Sequence, residues 1–146
     1  MRALNRALTV VAVAVCAFAT GPVWAQHEEQ EAKAVEAAKA WLALVDSGKF
    51  GESWDAAAPY FRSVVARDKW DARLVNSRLP LGRVLQRTLA AKKYTADLEG
   101  APKGEYVILV FNTKFDNMPK AVENVTPMLQ RDGSWRVTGY NIKPPQ

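Results

Sequence analysis

This 146-residue chain contains one cysteine and one histidine. Cys16 lies inside an N-terminal apolar run, and His27 follows shortly after it. The body of the chain therefore has neither a thiol nor an imidazole. That excludes disulfide staples. It also excludes Ser–His–Asp and Cys–His devices, which need an imidazole within reach of the nucleophile. Zinc loses its usual nitrogen and sulfur ligands. There is no glycine-rich phosphate loop, no calcium loop of alternating acids and no low-complexity segment. Neither a cofactor nor a metal is expected. Twenty Lys and Arg against fifteen Asp and Glu leave a formal charge of only +5. So mild a surplus favours anionic neighbours such as envelope polymers or lipid head groups, but it is too small to suggest nucleic acid.

The first 25 residues read as an export address. Arg2 and Arg6 make a positive start, and Ala7 to Thr20 is an unbroken apolar run. Gly21-Pro22 interrupts it, and Val23-Trp24-Ala25 supplies a peptidase site, with cleavage expected after Ala25. The run is too short to span a bilayer. Cys16 follows Val15 rather than a small residue, so it reads as an ordinary member of the run and not as a lipid-anchor cysteine. Cleavage would give one domain, 26–146. That is 146 less 25, or 121 residues, with formal charge lowered to +3 by loss of the two arginines. The expected location is periplasmic or secreted, with no integral membrane segment left after cleavage. With no disulfide available, stability must come from packing, to which Trp41, Trp54, Trp70 and Trp135 bring large apolar surfaces.

Helical signals fill the first half. Val35, Ala38, Leu42 and Val45 make a stripe within Glu28–Asp46, early acids suit the helix dipole, and Gly48 is the expected left-handed cap. Phe50, Trp54 and Ala57 mark a second, short helix that ends before Pro59, where another turn begins. Asp68 is the expected N-cap of a further helix with Trp70 and Leu74 inward, stopped by Pro80 and Gly82. Strand signals follow. Val84–Leu98 has its alternation blurred at Ala90-Ala91, which suggests a bulge. In Glu105–Phe115 both faces are apolar, predicting a central strand covered on both sides. Lys120–Arg131 carries Pro127, a mark of an edge or a bulge. Asp132-Gly133 predicts a hairpin, and Trp135–Ile142 changes parity at Gly139, a second bulge. The fold class is therefore α+β, with N-terminal helices packed on a curved, four-stranded antiparallel sheet. AWLALVDSGKFGESWDAA has the look of a helical-repeat unit, but the strand-rich half supplies no units to stack on it.

Four stretches occur in this order: AWLALVDSGKFGESWDAAAPYFR, LPLGRVLQR, GEYVILVFNTKF and AVENVTPMLQRDGSWRVTGYNIKP. Together they resemble the bacterial exported family known as domain of unknown function four-zero-one-nine, over about Ala38 to Pro144. That resemblance implies a family without an assigned activity. The order of helices and curved sheet also resembles the cone-shaped nuclear-transport-factor-like fold. It implies a conical cavity between sheet and helices, used in different members for catalysis, ligand binding or dimerisation, and fold alone does not choose among them.

Two constellations carry candidate chemistry. In a cavity, a carboxylate with a raised pKa beside a tyrosine can move a proton near neutral pH. Asp97, Asp116 and Glu123 are the candidates, read as strand residues, with Tyr94, Tyr106 and Tyr140 as hydrogen-bond donors. An isomerase- or dehydratase-like enzyme would need one such acid pointing into the cavity. Arg78, Arg83 and Arg87 flank the Leu79–Gly82 turn and form a candidate anion site; the parity of Arg83 and Arg87 puts those two on one face. Their plainer role is a solvated positive edge. Asn124-Val125-Thr126 matches a glycosylation sequon by accident, since it falls in a strand of an exported bacterial chain. The favoured reading is a non-catalytic domain binding a small apolar ligand or an envelope protein through a cavity or sheet face. A carboxylate enzyme and a structural homodimer are the alternatives.

Overall fold

A computed structural model describes residues 22–144. Cys16 and all of the expected leader up to Gly21 lie outside the described residues. Four helices come first: α1 (Val23–Asp46), α2 (Phe50–Ala56), α3 (Pro59–Val64) and α4 (Arg67–Ser77). A 3₁₀ turn at Leu79–Leu81 leads into β1 (Val84–Thr95), β2 (Tyr106–Phe115), β3 (Ala121–Leu129) and β4 (Trp135–Lys143). The strands form one antiparallel meander in the order β1-β2-β3-β4, and the helices pack on one of its faces. The α+β fold read from the sequence is the fold of the chain. Among the described residues, no helix is long and apolar enough to cross a membrane.

Helix α1 buries Ala34, Val35, Ala38, Trp41, Leu42 and Val45, the near-3.6 spacing that its sequence shows. It starts earlier than expected, at Val23, so Glu28, Glu29 and Glu31 sit beyond its first turn. It ends as expected: Gly48 has φ 74°, Lys49 N–H donates to the Leu44 carbonyl, and Gly48 N–H donates to that of Val45. The start of α4 differs. Ala66 is its N-cap, and Asp68 lies in the first turn, where the helix dipole favours an acid.

Register explains the sheet's faces. Pairing shifts between Leu89 and Ala91 and between Thr126 and Pro127 place bulges at Ala90 and beside Gly139, as the parity changes predicted. Pro127 sits in an interior strand, so of the two expected explanations the bulge applies. The inward face of β2 carries Val107, Leu109, Phe111, Thr113 and Phe115, all buried. Its outward face does not meet expectation. β2 is central in the sheet but covered on one side only: Ile108 and Val110 are half-buried, and Asn112 and Lys114 are exposed. Tyr106 also points outward, yet it is fully buried, because its hydroxyl donates to the Pro102 carbonyl at 2.5 Å and the Ala101–Glu105 loop closes over it.

Aromatic rings fill the space between helices and sheet. Trp41 meets Tyr140 edge-on with centroids 5.3 Å apart, and Phe61 meets Trp70 edge-on at 5.0 Å. Trp41 and Trp70 are 5.9 Å apart. Buried Ser53 serves both indoles: Trp41 Nε1 donates to its carbonyl at 2.7 Å and Trp70 Nε1 to its Oγ at 3.0 Å.

Candidate functional site

One end of this core is ionic. Asp46 closes α1, Arg78 caps α4, Arg87 lies on β1 and Glu123 on β3. Glu123 is fully buried. Its Oε2 accepts from Arg87 Nε at 2.7 Å and from Thr113 Oγ1 at 2.5 Å. Its Oε1 accepts from Tyr140 OH at 2.6 Å and Arg87 Nη2 at 3.1 Å. Arg87 also reaches Asp46, donating from Nη1 to Oδ2 at 2.6 Å and from Nη2 to Oδ1 at 3.0 Å. Arg78 donates from Nη2 to the same Asp46 Oδ1 at 3.0 Å and from Nη1 to the Gly82 carbonyl at 2.8 Å. Its guanidinium lies 4.5 Å over the Phe115 ring.

Two guanidinium groups face two carboxylates, so the cluster is neutral as a whole. Burial works against the charge of Arg87, but the hydrogen bonds to Asp46 and Glu123 more than offset it and raise its pKa. Burial, and then the charge of Glu123, push the Tyr140 phenol up, so the hydroxyl stays a donor. Each Glu123 oxygen already accepts two hydrogen bonds, which leaves no room for a substrate proton. This arrangement ties six elements together, α1, the end of α4 and all four strands, and each of its carboxylates is already paired with an arginine.

The structure therefore sorts the candidate residues. Of the three acids, Glu123 alone is a strand residue pointing inward, and it does lie beside a tyrosine, Tyr140. Asp97 is exposed in the loop after β1, and Asp116 is exposed just past the end of β2, so neither lies on a strand as expected. Tyr94 donates to Glu105 Oε1 at 2.5 Å, far from Glu123 in the fold, and that bond raises its pKa to about 12. His27 is exposed, and its ring stacks on that of Tyr94 with centroids 4.3 Å apart. The arginines divide differently from their parity. A register shift between Val84 and Gln86 places a bulge at Leu85, which turns Arg87 inward and leaves Arg83 outside. Arg78 joins Arg87 on Asp46. Arg83 instead pairs with Asp116, Nε to Oδ2 at 3.0 Å, and this contact and the Arg83 backbone N–H hold the Asp116 carboxyl below its usual range. Gly82 has φ 77°, and a Cβ there would come within 2.8 Å of Asp116 Cβ, so this turn requires glycine.

Asp46 and Thr113 belong to the cluster and escaped the sequence reading. Both left a signal. An acid in the last turn of a helix opposes the dipole and implies a cationic partner. Thr113 is the polar break in the otherwise apolar series Val107, Leu109, Phe111, Phe115.

Surface depressions lie on either side of this core. One of about 210 Å³ is rimmed by Asp46, Phe50, Arg78, Leu79, Arg83 and Asp116, with its charges already paired. Another, of about 320 Å³, lies on the uncovered face of the sheet between Gln86, Thr88, Asn112, Lys114, Lys120 and Val122.

Helices preceding an open four-stranded antiparallel sheet, with a neutral ionic cluster at one end of the core, define a small α+β domain. The family model described as protein of unknown function (DUF4019) matches residues 37–140, and the chain belongs to that family. A protein of Catenulispora Acidiphila, solved at 2.5 Å, is similar in structure. Its TM-score is 0.53 at 15% identity, and the alignment covers 83% of this chain and 94% of that one. At that identity the likeness concerns the fold alone. No curated protein matches this sequence.

Proposed function

We propose that this chain is an exported, non-catalytic domain that works by holding a protein partner on the uncovered face of its sheet. The observation that carries this reading is the contrast between the two faces. On the inner face, aromatic rings and ion pairs pack between the helices and the sheet. On the outer face no described element covers Asn112, Lys114, Asn124 or Asn141, and a depression opens there. Export is supported by the charged start, the apolar run and the Val23-Trp24-Ala25 site.

Photo-crosslinking in the host envelope tests this reading. A photoreactive residue at Asn112, on the outer face, is expected to capture one partner protein. The same group at Ala72, exposed on α4, is expected to capture none. Capture from α4 alone, or a small apolar molecule retained in the core by native mass spectrometry, contradicts the reading.

A further inference from the structure

The outward face of the sheet carries charge of one sign only. Its strand positions hold Lys93, Lys114, Arg136 and Lys143, and not one aspartate or glutamate. Lys93, Lys114 and Lys143 are exposed, as is Lys120 at the mouth of the 320 Å³ depression. None of these four makes an ion pair among the described residues, while Arg136 has only a loose contact with Asp132, at 3.9 Å. Away from that face, Arg67, Arg78, Arg83, Arg87 and Lys92 have carboxylate partners within 3.0 Å, while Arg62, Lys69, Arg73, Lys103 and Arg131 make no ion pair among the described residues. The uncovered sheet face thus carries unpaired lysines with no acid among its outward strand positions to neutralise them. Around the depression, Lys114 and Lys120 stand beside the neutral hydrogen-bonding groups of Gln86, Thr88 and Asn112.

From this we infer that the depression at Lys114 and Lys120 is the docking site for an acidic polypeptide segment. The inference rests on the reading of the sheet face as a partner surface and adds the chemistry of the partner. Carboxylate side chains complement the lysines, and the amides and hydroxyl of Asn112, Gln86 and Thr88 match a peptide's polar groups. A second copy of this chain fits poorly, because face-to-face docking would set like charges against one another. Nucleic-acid strands are held by exposed aromatic platforms, and this face has none, since Tyr106 is buried beneath its loop. Insertion into a lipid surface needs protruding apolar groups, whereas Ile108, Val110, Val122 and Met128 are half-buried among their neighbours.

The probe is a fluorescently labelled ten-residue glutamate peptide, titrated against the 26–146 domain. Binding is expected to weaken about tenfold in the double variant Lys114→Glu, Lys120→Glu, and by a similar factor between about 50 and about 300 mM salt. The variant Lys69→Glu, Arg73→Glu on α4 changes the net charge equally and is expected to bind as the parent does. Thermal melts confirm that each variant is folded; if the glutamates disturb the sheet, Lys114→Gln with Lys120→Gln replaces them. Equal loss in both double variants overturns the site, because net charge alone would then account for binding. Tighter binding of inorganic polyphosphate or of anionic phospholipid vesicles, also lost in the Lys114, Lys120 variant, overturns the assignment to polypeptide. No binding of the peptide overturns the inference as well. Should crosslinking from Asn112 persist in the Lys114→Glu, Lys120→Glu variant, the partner surface stands and only its acidic chemistry falls. Should that capture be absent from the parent, the wider reading fails first.

Discussion

Single residues hold this core in one arrangement. Ser53 is the clearest case: a small polar side chain, fully buried, whose Oγ donates to the Phe50 carbonyl at 2.6 Å and accepts from Trp70. Ser53→Ala leaves the Trp70 indole N–H buried without a partner, a loss of about 1–3 kcal/mol. Urea unfolding should show that decrease with an unchanged slope, and an unchanged midpoint contradicts the assignment. Nothing in the sequence marks Ser53, because a serine in a polar seven-residue helix looks like surface. Trp41 and Trp70 were legible as core by contrast, since each falls on or beside an apolar stripe at helical spacing.

Between elements, the ionic cluster does the joining. Glu123 on β3 takes hydrogen bonds from β1, β2 and β4, and through Arg87 it reaches the end of α1. A buried pair of this kind contributes little net stability against an apolar replacement, but removing one partner strands the other charge. Glu123→Gln is therefore expected to cost about 3–5 kcal/mol, read from chemical denaturation. A loss below about 1 kcal/mol would mean that Arg87 is satisfied by Asp46 alone. The elements themselves were largely legible. Four strands, their order of appearance and two of their bulges follow from parity changes at Ala90 and Gly139. The third bulge, at Leu85, was not legible, because the residues around it carry no apolar alternation to interrupt. That one unseen residue is why Arg83 and Arg87 were grouped together and Arg78 set apart. The reverse grouping holds.

For the whole molecule, the sequence shows helices and strands but not which sheet face the helices cover. Both faces of Tyr106–Val110 are apolar, and only the three-dimensional packing shows that one of them is left open. The filled interior has a pH signature. Tyr140 holds its proton in the folded state well above its ordinary value of 10.0, whereas an unfolded tyrosine releases it there. Above pH 10 the folded chain therefore binds more protons, so this contribution is complete below pH 10 and declines as pH rises. Tyr94 adds to the decline between pH 10 and about 12. Thermal midpoints should fall across this alkaline range, and Tyr140→Phe should flatten the fall. An equal slope in the variant contradicts the assignment.

The central claim, that rings and ion pairs occupy the interior so that binding belongs to the outer face, is tested most directly by pressurising crystals of the 26–146 domain with xenon. Xenon enters dry apolar cavities and leaves packed cores empty. No xenon density is predicted among Trp41, Trp70, Leu109 and Tyr140. An ordered xenon atom there would reveal an internal apolar cavity and contradict the account.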